Sequence, residues 1–387
     1  MPINLFLRQQ QMHNMFATSN GYAERHTQRQ MQDKNKRLMF LRKQRQLQLT
    51  REKQNRVKYT QNSIQMNLGR RDEPKPNTKK EIHHLNIDNL LKKYGLFWQY
   101  PVITEKTFYN QNKGKERYLG FPWATIIDKQ RSKIPEITHK LIKEINIENN
   151  NYTCCQHIHF KKCIPMWKKL NIKTVYASHK KLGEDNIDGI QILPCPLYAL
   201  NIENNVFNKD FQDIDVVKSK RNVLYSFVGG YVPRIYLSNI RERIFNMKHP
   251  KDAIVKNTGK WHLQNIVYSD KQNSKGELNK PSDYNSKTKS YNEILLKSRY
   301  SLCPSGSGPN SIRFWEALGA GSIPVLLADT LELPKHDLWE KTIVRIPEKD
   351  VSKLNEILEG IKPEEEKHRR DGCVKLYKIF RDNYINE

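Results

Sequence analysis

The sequence lacks any run of 18 apolar residues, so it predicts no transmembrane helix. The apolar stretch within residues 1–16 is too short and too soon interrupted for a signal peptide. Cysteine is scarce, with 6 residues in 387 and no CxxC pair, which argues against a disulfide framework. We therefore expect a soluble, cytoplasmic protein with reduced cysteines.

Metal-binding motifs are also few. Cys154, Cys155, His157, His159 and Cys163 offer zinc ligands, but the adjacent cysteine pair matches no usual ligand spacing. We therefore expect neither a metal nor another cofactor.

Acidic residues are outnumbered, with 41 Asp and Glu against 67 Lys and Arg, which gives a net charge of +26. Residues 1–80 hold 18 basic and only 5 acidic residues, so they carry a disproportionate share of the excess. Such charge suggests an anionic partner. For the rest of the chain, an Asn-, Ile- and Lys-rich composition, as A/T-rich codons specify, is an alternative explanation.

Three regions are predicted. Residues 1–79 form a basic, Gln-rich tail and linker, either a loose helix or a disordered segment, because helix formers abound but the apolar stripe is weak. Residues 80–215 and 216–387 form two folded domains. Because Gln rather than aromatic residues separates the basic residues of the tail, nucleic acid is a weaker expectation than an anionic membrane surface.

Apolar runs of strand length alternate with helix-length segments, which favours parallel α/β sheets. The predicted strands are 124–128, 153–157, 174–179, 190–194, 223–228, 266–268 and 300–303. The predicted helices are 160–170, 236–247 and 291–298, and residues 270–290 are predicted as a surface loop.

The strongest local signal is YSLCPSGSGPNSIRFWEALGAGSIPVLLAD, residues 300–329. It predicts a strand, a small-residue loop, a helix starting at Asn310 or Ser311, a break at residues 319–321, and a second strand. Loops at the carboxyl ends of parallel strands are where open α/β sheets bind ligands. This segment is therefore the candidate ligand site.

A helix start preceded by small residues can hold a phosphate with its unpaired amides. Arg313 can add a cation, and Glu316 can accept hydrogen bonds from ribose hydroxyls, so the pattern indicates a nucleoside diphosphate. The ATPase loop GxxxxGK[ST] is absent, and GxGxxG fails at Ser311. The alternative is a tight turn followed by a surface Arg313–Glu316 pair. The candidate anion-binding residues are Ser305, Gly306, Ser307, Gly308, Asn310 and Ser311.

Several motifs occur in order: residues 299–304 (RYSLCP), Arg313, residues 316–318 (EAL), 321–325 (GSIPV), Asp329 and residues 333–334 (LP), with 226–230 (SFVGG) and 240–241 (IR) upstream. Together they resemble the exostosin family of glycosyltransferases over about residues 220–360. Residues 121–125 and His157 extend the similarity more weakly.

The resemblance implies the GT-B arrangement, two Rossmann-like domains facing a cleft, with the nucleotide sugar held mainly by the second. It implies that Glu316 binds ribose and that Arg241 and Arg313 bind the diphosphate, beside the strand-turn at Gly229 and Gly230. Arg234 follows this glycine pair and is added as a donor-binding candidate without a family pattern.

Two features depart from the family pattern. The membrane anchor typical of animal and plant members is missing from this sequence. The related retaining enzymes carry Glu eight positions before the ribose carboxylate, where this chain has Gly308, which agrees with an inverting mechanism.

Inversion needs a base that takes the proton of the acceptor hydroxyl. Asp128, His157 and His179 are predicted at strand ends of the first domain. We favour His157, then Asp128, because imidazole has the better unperturbed pKa. Their structural alternatives are a helix cap for Asp128 and buried, hydrogen-bonded roles for the histidines. The DxD motif at residues 213–215 is interpreted as a coincidence, since arginines and a helix start can stabilise the leaving group.

The predicted function is transfer of a sugar from a nucleotide diphosphate, a UDP-sugar, to a glycan or glycoprotein acceptor with inversion. The alternative is a nucleic-acid-binding or anionic-membrane-binding protein that acts through its tail and has a non-catalytic body.

Overall fold

The structure is a computed structural model that describes residues 91–92, 94–129, 134–144, 151–198, 200–203, 209–212, 214–259 and 284–382. The chain divides between Glu81 and Ile82, and all described residues belong to the second unit. The predicted tail and linker, residues 1–79, and the predicted strand 266–268 lie outside the described residues.

The described part is mixed α/β. Its helices are α1 (Thr104–Asn112), α2 (Trp123–Lys129), α3 (Ile134–Glu144), α4 (Ile164–Lys169), α5 (Leu200–Glu203), α6 (Lys209–Gln212), α7 (Ile240–Asn246), α8 (Tyr284–Lys297), α9 (Ile312–Gly319), α10 (Trp339–Thr342), α11 (Leu354–Glu359) and α12 (Pro363–Asp382). Two 3₁₀ helices cover Phe160–Cys163 and Glu348–Lys353. The strands are β1 (Tyr152–Cys155), β2 (Thr174–Ala177), β3 (Asn186–Ile187), β4 (Ile190–Pro194), β5 (Val223–Gly229), β6 (Ile254–Asn257), β7 (Ser298–Pro304), β8 (Ile323–Leu327) and β9 (Val344–Arg345).

Two separate sheets are built from these strands. The first has the order β1-β2-β4-β3, in which β1, β2 and β4 are parallel and β3 is antiparallel to β4. The second has the order β6-β5-β7-β8-β9 and is parallel throughout. Continuous apolar runs such as β8, buried at every position, are what a parallel sheet covered on both faces requires. The predicted α/β class is confirmed, with a second sheet that is parallel throughout and a first sheet that is parallel except for β3.

Each sheet has its own core. In the first, Trp123 of α2 packs edge-on against Trp167 of α4, with ring centroids 5.6 Å apart. In the second, Trp315 of α9, Trp339 of α10 and Phe380 of α12 pack together. The last helix returns to the first half of the chain, where Gln111 donates a hydrogen bond to the carbonyl of Arg381 at 2.7 Å.

Three predictions of local structure were wrong or incomplete. Residues 124–128 form part of helix α2 rather than a strand, because a short apolar run buried on all sides fits either element. Residues 284–290, predicted as loop, form the first half of α8. Strand β6 was not predicted, since it has only two apolar residues, Ile254 and Val255, followed by two polar ones.

None of the helices within the described ranges is long and apolar enough to cross a membrane.

Candidate active site

The donor loop, which we define as residues 305–311, connects β7 to α9. It folds back on itself, because the amide of Gly306 donates to the carbonyl of Gly308 at 2.9 Å and the amide of Ser305 donates to Leu327 at 3.0 Å. Helix α9 begins at Ile312, with Ser311 as its N-cap residue. The amides of Ile312 and Arg313, in the first turn, have no acceptor one turn earlier in the helix. These amides, rather than those of Ser305 and Gly306, are therefore available to an anion.

Asn310 fixes the loop in place. Its Oδ1 accepts hydrogen bonds from the amide of Ser311 at 2.9 Å and from the indole of Trp315 at 3.0 Å. Its Nδ2 donates to the carbonyl of Ser178, which follows β2, at 2.7 Å. The side chain predicted to bind the donor thus ties α9 to the edge of the first sheet.

Arg241, in α7, lies under the loop. Its guanidinium donates to the carbonyl of Ser305 at 2.8 Å and to that of Gly230 at 3.0 Å, and it stacks on Tyr236 at 4.7 Å. A side chain on Gly306 would lie 3.1 Å from Nη2, so glycine there permits the close approach. Burial lowers the pKa of Arg241 to about 10, which keeps it protonated at neutral pH.

Arg313, in the first turn of α9, lies between two aromatic rings. Its guanidinium is 4.9 Å from the ring centre of Phe227 and 5.4 Å from that of Tyr291, and it donates to the carbonyl of Val228. A side chain on Gly229 would lie 3.3 Å from its Nη2.

Arg241 and Arg313 share one electrostatic property. Within the described ranges, neither guanidinium lies within ion-pair distance of a carboxylate, although Arg313 interacts electrostatically with the buried Glu316. Two cations with at most one nearby carboxylate, beside a helix start and a glycine-containing loop, are suited to an anion with more than one charge.

Glu316 lies one turn deeper in α9 and is buried. Its Oε2 accepts a hydrogen bond from the hydroxyl of Tyr291 at 2.8 Å. Burial raises its pKa, while the Tyr291 hydrogen bond and Arg313 oppose that effect. The alternative of a surface Arg313–Glu316 pair is therefore wrong.

Asp128 and His157 form a pair at the edge of the first sheet. Asp128, predicted at a strand end, lies near the end of α2, and its Oδ1 is 2.8 Å from His157 Nε2. Its Oδ2 accepts a hydrogen bond from Gln99 at 2.5 Å. Burial alone would raise the pKa of Asp128, but the hydrogen bonds from His157 and Gln99 lower it below its ordinary value.

The hydrogen bonds of His157 assign its tautomer. The amide of His159 donates to Nδ1 at 2.9 Å, so Nδ1 is unprotonated and the proton of the neutral ring lies on Nε2, facing Asp128. The neutral ring of His157 therefore has no free lone pair, whereas each oxygen of the Asp128 carboxylate can accept a further hydrogen bond. Asp128 thus replaces His157 as the preferred candidate, although its lowered pKa makes it a weak base.

The two sheet edges meet at Gly308. A side chain there would lie 2.7 Å from Ile158 Cγ2 and 2.8 Å from His179 Cε1. A bridging segment, residues 178–182, continues the contact, because the amide of Leu182 donates to Thr330 at 3.0 Å and the buried ammonium of Lys180 pairs with Glu332. The base candidates and the donor loop thus face the same boundary.

The other predicted donor residues have different surroundings. Ser307 is half-buried in the donor loop. The hydroxyl of Ser305 donates to Glu348 at 3.1 Å. Arg234 is exposed, with a φ of 68°, and forms no hydrogen bond or ion pair with a described residue. Arg234 is thus the donor candidate with the least structural support.

The described ranges contain no group of three or more His, Cys, Asp or Glu placed to hold a metal ion. All six cysteines are buried and free. Of the DxD motif, Asp213 lies outside the described residues, and Asp215 accepts hydrogen bonds from the amides of Val217 and Lys218 at 3.1 Å, as in a turn. Metal independence stays a prediction.

Residues 129–361, more than half of the chain, match the exostosin GT47 domain. The chain belongs to the exostosin GT47 family. The parallel α/β sheets of this exostosin-family protein are consistent with a GT-B-like fold.

Three named relatives share parts of the chain. The exostosin-1 homolog of Caenorhabditis elegans is 24% identical over 201 residues, 51% of each protein. A probable glucuronosyltransferase of Oryza sativa subsp. japonica is 44% identical over 73 residues, 18% of each. A probable beta-1,4-xylosyltransferase of Arabidopsis thaliana is 43% identical over 76 residues, 19% of this chain and 18% of that protein. The chain thus spans about half or less of these relatives' length.

Three site residues were missed by sequence reasoning. Tyr291 contacts both Arg313 and Glu316, Glu348 contacts Ser305, and buried Glu105 accepts hydrogen bonds from the amides of Ala124 and Gln156, beside the base candidates. No local motif marks them, because each reaches the site from a separate element.

Proposed function

We propose that this exostosin-family protein transfers a sugar from a UDP-sugar to a glycan or glycoprotein acceptor, with inversion at the transferred carbon. The observation that carries the proposal is the pair of guanidinium groups, Arg241 against the donor loop and Arg313 in the first turn of α9, neither of which is in an ion pair with a carboxylate within the described ranges. A diphosphate would supply the missing negative charge, and the first amides of α9 would add hydrogen bonds.

Glu316 is proposed to hold the ribose. Its carboxylate lies one turn below the helix start, so a diphosphate bound at the start can extend its pentose towards it. Hydrogen bonds from Tyr291 and Asn201 hold the carboxylate in place. Each carboxylate oxygen can accept more than one hydrogen bond, so a ribose hydroxyl can still donate to it.

Asp128 is proposed as the base, with His157 as its hydrogen-bonding partner. The acceptor hydroxyl gives its proton to the carboxylate while its oxygen forms a bond to the anomeric carbon. The bond from that carbon to the diphosphate oxygen breaks, and its electron pair leaves with UDP, whose charge Arg241 and Arg313 stabilise. Attack from the face opposite the leaving group inverts the configuration.

The donor sugar is proposed from the relatives' names. Because two of them are named as a probable xylosyltransferase and a probable glucuronosyltransferase, UDP-xylose and UDP-glucuronate are the first donors to test.

A hydrolysis screen tests the proposed site. The full chain is incubated with UDP- and GDP-sugars, and UDP or GDP release is compared among the parent, Arg313→Ala and Glu316→Ala. Arg345→Ala and Glu340→Ala are matched controls, since these two residues pair with each other on the surface, at 3.0 Å. We expect both site variants to lose turnover and both controls to keep it. Parent-like turnover in both site variants would refute the assignment.

The tail is proposed to bring the enzyme to an anionic membrane surface from the cytoplasm. Removing residues 1–75 should leave donor hydrolysis intact and weaken binding to phosphatidylserine vesicles. Unchanged vesicle binding, or binding to nucleic acid instead, would contradict this role.

A further inference from the structure

His179 occupies the space into which a side chain at position 308 would project. A Cβ atom built on Gly308 would overlap the imidazole, at 2.8 Å from Cε1 and closer to Nδ1. His179 comes two residues after β2, so the carboxyl edge of the first sheet presents this ring directly to the donor loop.

The ring is firmly held, yet one of its nitrogens has no partner. The residues on either side are anchored, since the Ser178 carbonyl accepts from Asn310 and the Lys180 ammonium pairs with Asp185 and Glu332. Nδ1 of His179 is buried and forms no hydrogen bond with any described residue. A buried polar nitrogen without a hydrogen-bond partner is energetically unfavourable.

His179 is uncharged at neutral pH. Burial, together with His157 and His159 nearby, lowers its pKa to about 3. A neutral imidazole has one donor and one acceptor nitrogen, which suits a hydroxyl group better than a phosphate. The cationic groups for the phosphates, Arg241 and Arg313, already lie on the side of the second sheet.

We propose that Nδ1 of His179 hydrogen-bonds a hydroxyl group of the transferred sugar, an inference that rests on the proposed function. The transferred sugar must lie between the groups that bind its diphosphate and the base that activates the acceptor. Those groups come from the two sheet edges, and His179 lies where the edges meet. Gly308 covers Nδ1 in this structure, so the proposed hydrogen bond requires the donor loop to shift when the donor binds.

Two variants distinguish hydrogen bonding by Nδ1 of His179 from packing of its ring. His179→Phe keeps a ring of similar size and removes the nitrogens, and His179→Asn keeps a polar atom near the position of Nδ1. Thermal unfolding checks the fold of each full-length variant. Calorimetry then measures the affinity for UDP and for UDP-xylose or UDP-glucuronate, whichever the parent hydrolyses faster.

We expect His179→Phe to bind UDP within twofold of the parent, to bind the UDP-sugar at least tenfold more weakly, and to hydrolyse it correspondingly more slowly. His179→Asn should recover part of that loss. Parent-like binding of the UDP-sugar by His179→Phe would overturn the inference. An equal loss for UDP and the UDP-sugar would also overturn it, because it would indicate packing alone. If the parent bound no UDP, the proposed function would fail and this inference with it.

Discussion

The two sheet edges that meet at Gly308 differ in the charge that they present. The edge of the second sheet carries Arg241 and Arg313, whose guanidinium groups bind backbone carbonyls and aromatic rings. The edge of the first sheet carries the Asp128–His157 pair and the neutral His179. One edge is therefore suited to holding an anion and the other to moving a proton. Reaction at the boundary needs both.

The largest expected effect concerns Asp128, at the edge of the first sheet. Asp128→Asn removes the proposed base and keeps the shape of the side chain, so we expect turnover to fall by about 10²–10⁴-fold. The affinity for UDP should stay within twofold, since the second edge is untouched. Steady-state kinetics and calorimetry measure the two quantities.

The control for this change is Asp188→Asn, an exposed turn residue of the first half with a φ of 52° that asparagine adopts readily. Parent-like turnover in Asp128→Asn, or an equal loss in the control, would contradict the assignment of the base.

How far each edge could be predicted depends on how its residues are spaced along the chain. The donor loop, Arg313 and Glu316 lie within twelve residues of one βαβ unit, and local glycine and helix-start chemistry was enough to predict them as a candidate site. Family resemblance added Arg241. The first edge is assembled from α2, β1 and β2, so its contacts could not be derived from local patterns.

Asp128 shows why the first edge was harder to predict. The short apolar run at residues 124–128 is compatible with a buried strand and with a buried helix. Only tertiary packing determines that it forms part of α2. Tyr291 is a similar case in the second half, because its contact with Glu316 spans 25 residues.

The second prediction concerns Glu105, which supports the first edge. Burial raises its pKa to about 8 from an ordinary value of 4.5, so between these values the folded state holds a proton that the unfolded chain has lost. The contribution of the Glu105 proton to the free energy of unfolding is therefore complete below pH 4.5 and declines as the pH rises towards 8.

At about 1.4 kcal/mol per pH unit, the loss between pH 5 and 8 is on the order of 4 kcal/mol. Glu105→Gln should abolish this part of the pH dependence of the free energy of unfolding. Denaturant unfolding of the parent and the variant at several pH values measures the difference. Identical pH profiles of stability would refute the assignment.

The third prediction concerns the anion-binding edge. Arg241→Ala removes a buried cation with charge-assisted hydrogen bonds, so the affinity for UDP should fall by about 1.5–3 kcal/mol, or roughly 10- to 150-fold. Arg241→Lys should recover only part of the lost affinity for UDP, because lysine lacks the planar guanidinium group and its several hydrogen-bond donors. Calorimetry with UDP provides the measurement, and equal affinity of the alanine variant and the parent would count against the site.

The smallest expected effect concerns the orientation of Glu316. Tyr291→Phe removes one hydrogen bond and keeps the ring beneath Arg313, so the affinity for UDP should fall by about 0.5–1.5 kcal/mol. Tyr300→Phe is the matched control, because the buried Tyr300 hydroxyl has no hydrogen-bond partner among the described residues. Equal effects of the two changes would show that Tyr291 does not orient Glu316.

A crystal structure of the protein with UDP is the most direct test of the central claim. We predict the diphosphate at the amides of Ile312 and Arg313, between the Arg241 and Arg313 guanidinium groups, with the ribose hydroxyls on Glu316. UDP bound elsewhere, with these three side chains free of nucleotide, would contradict it.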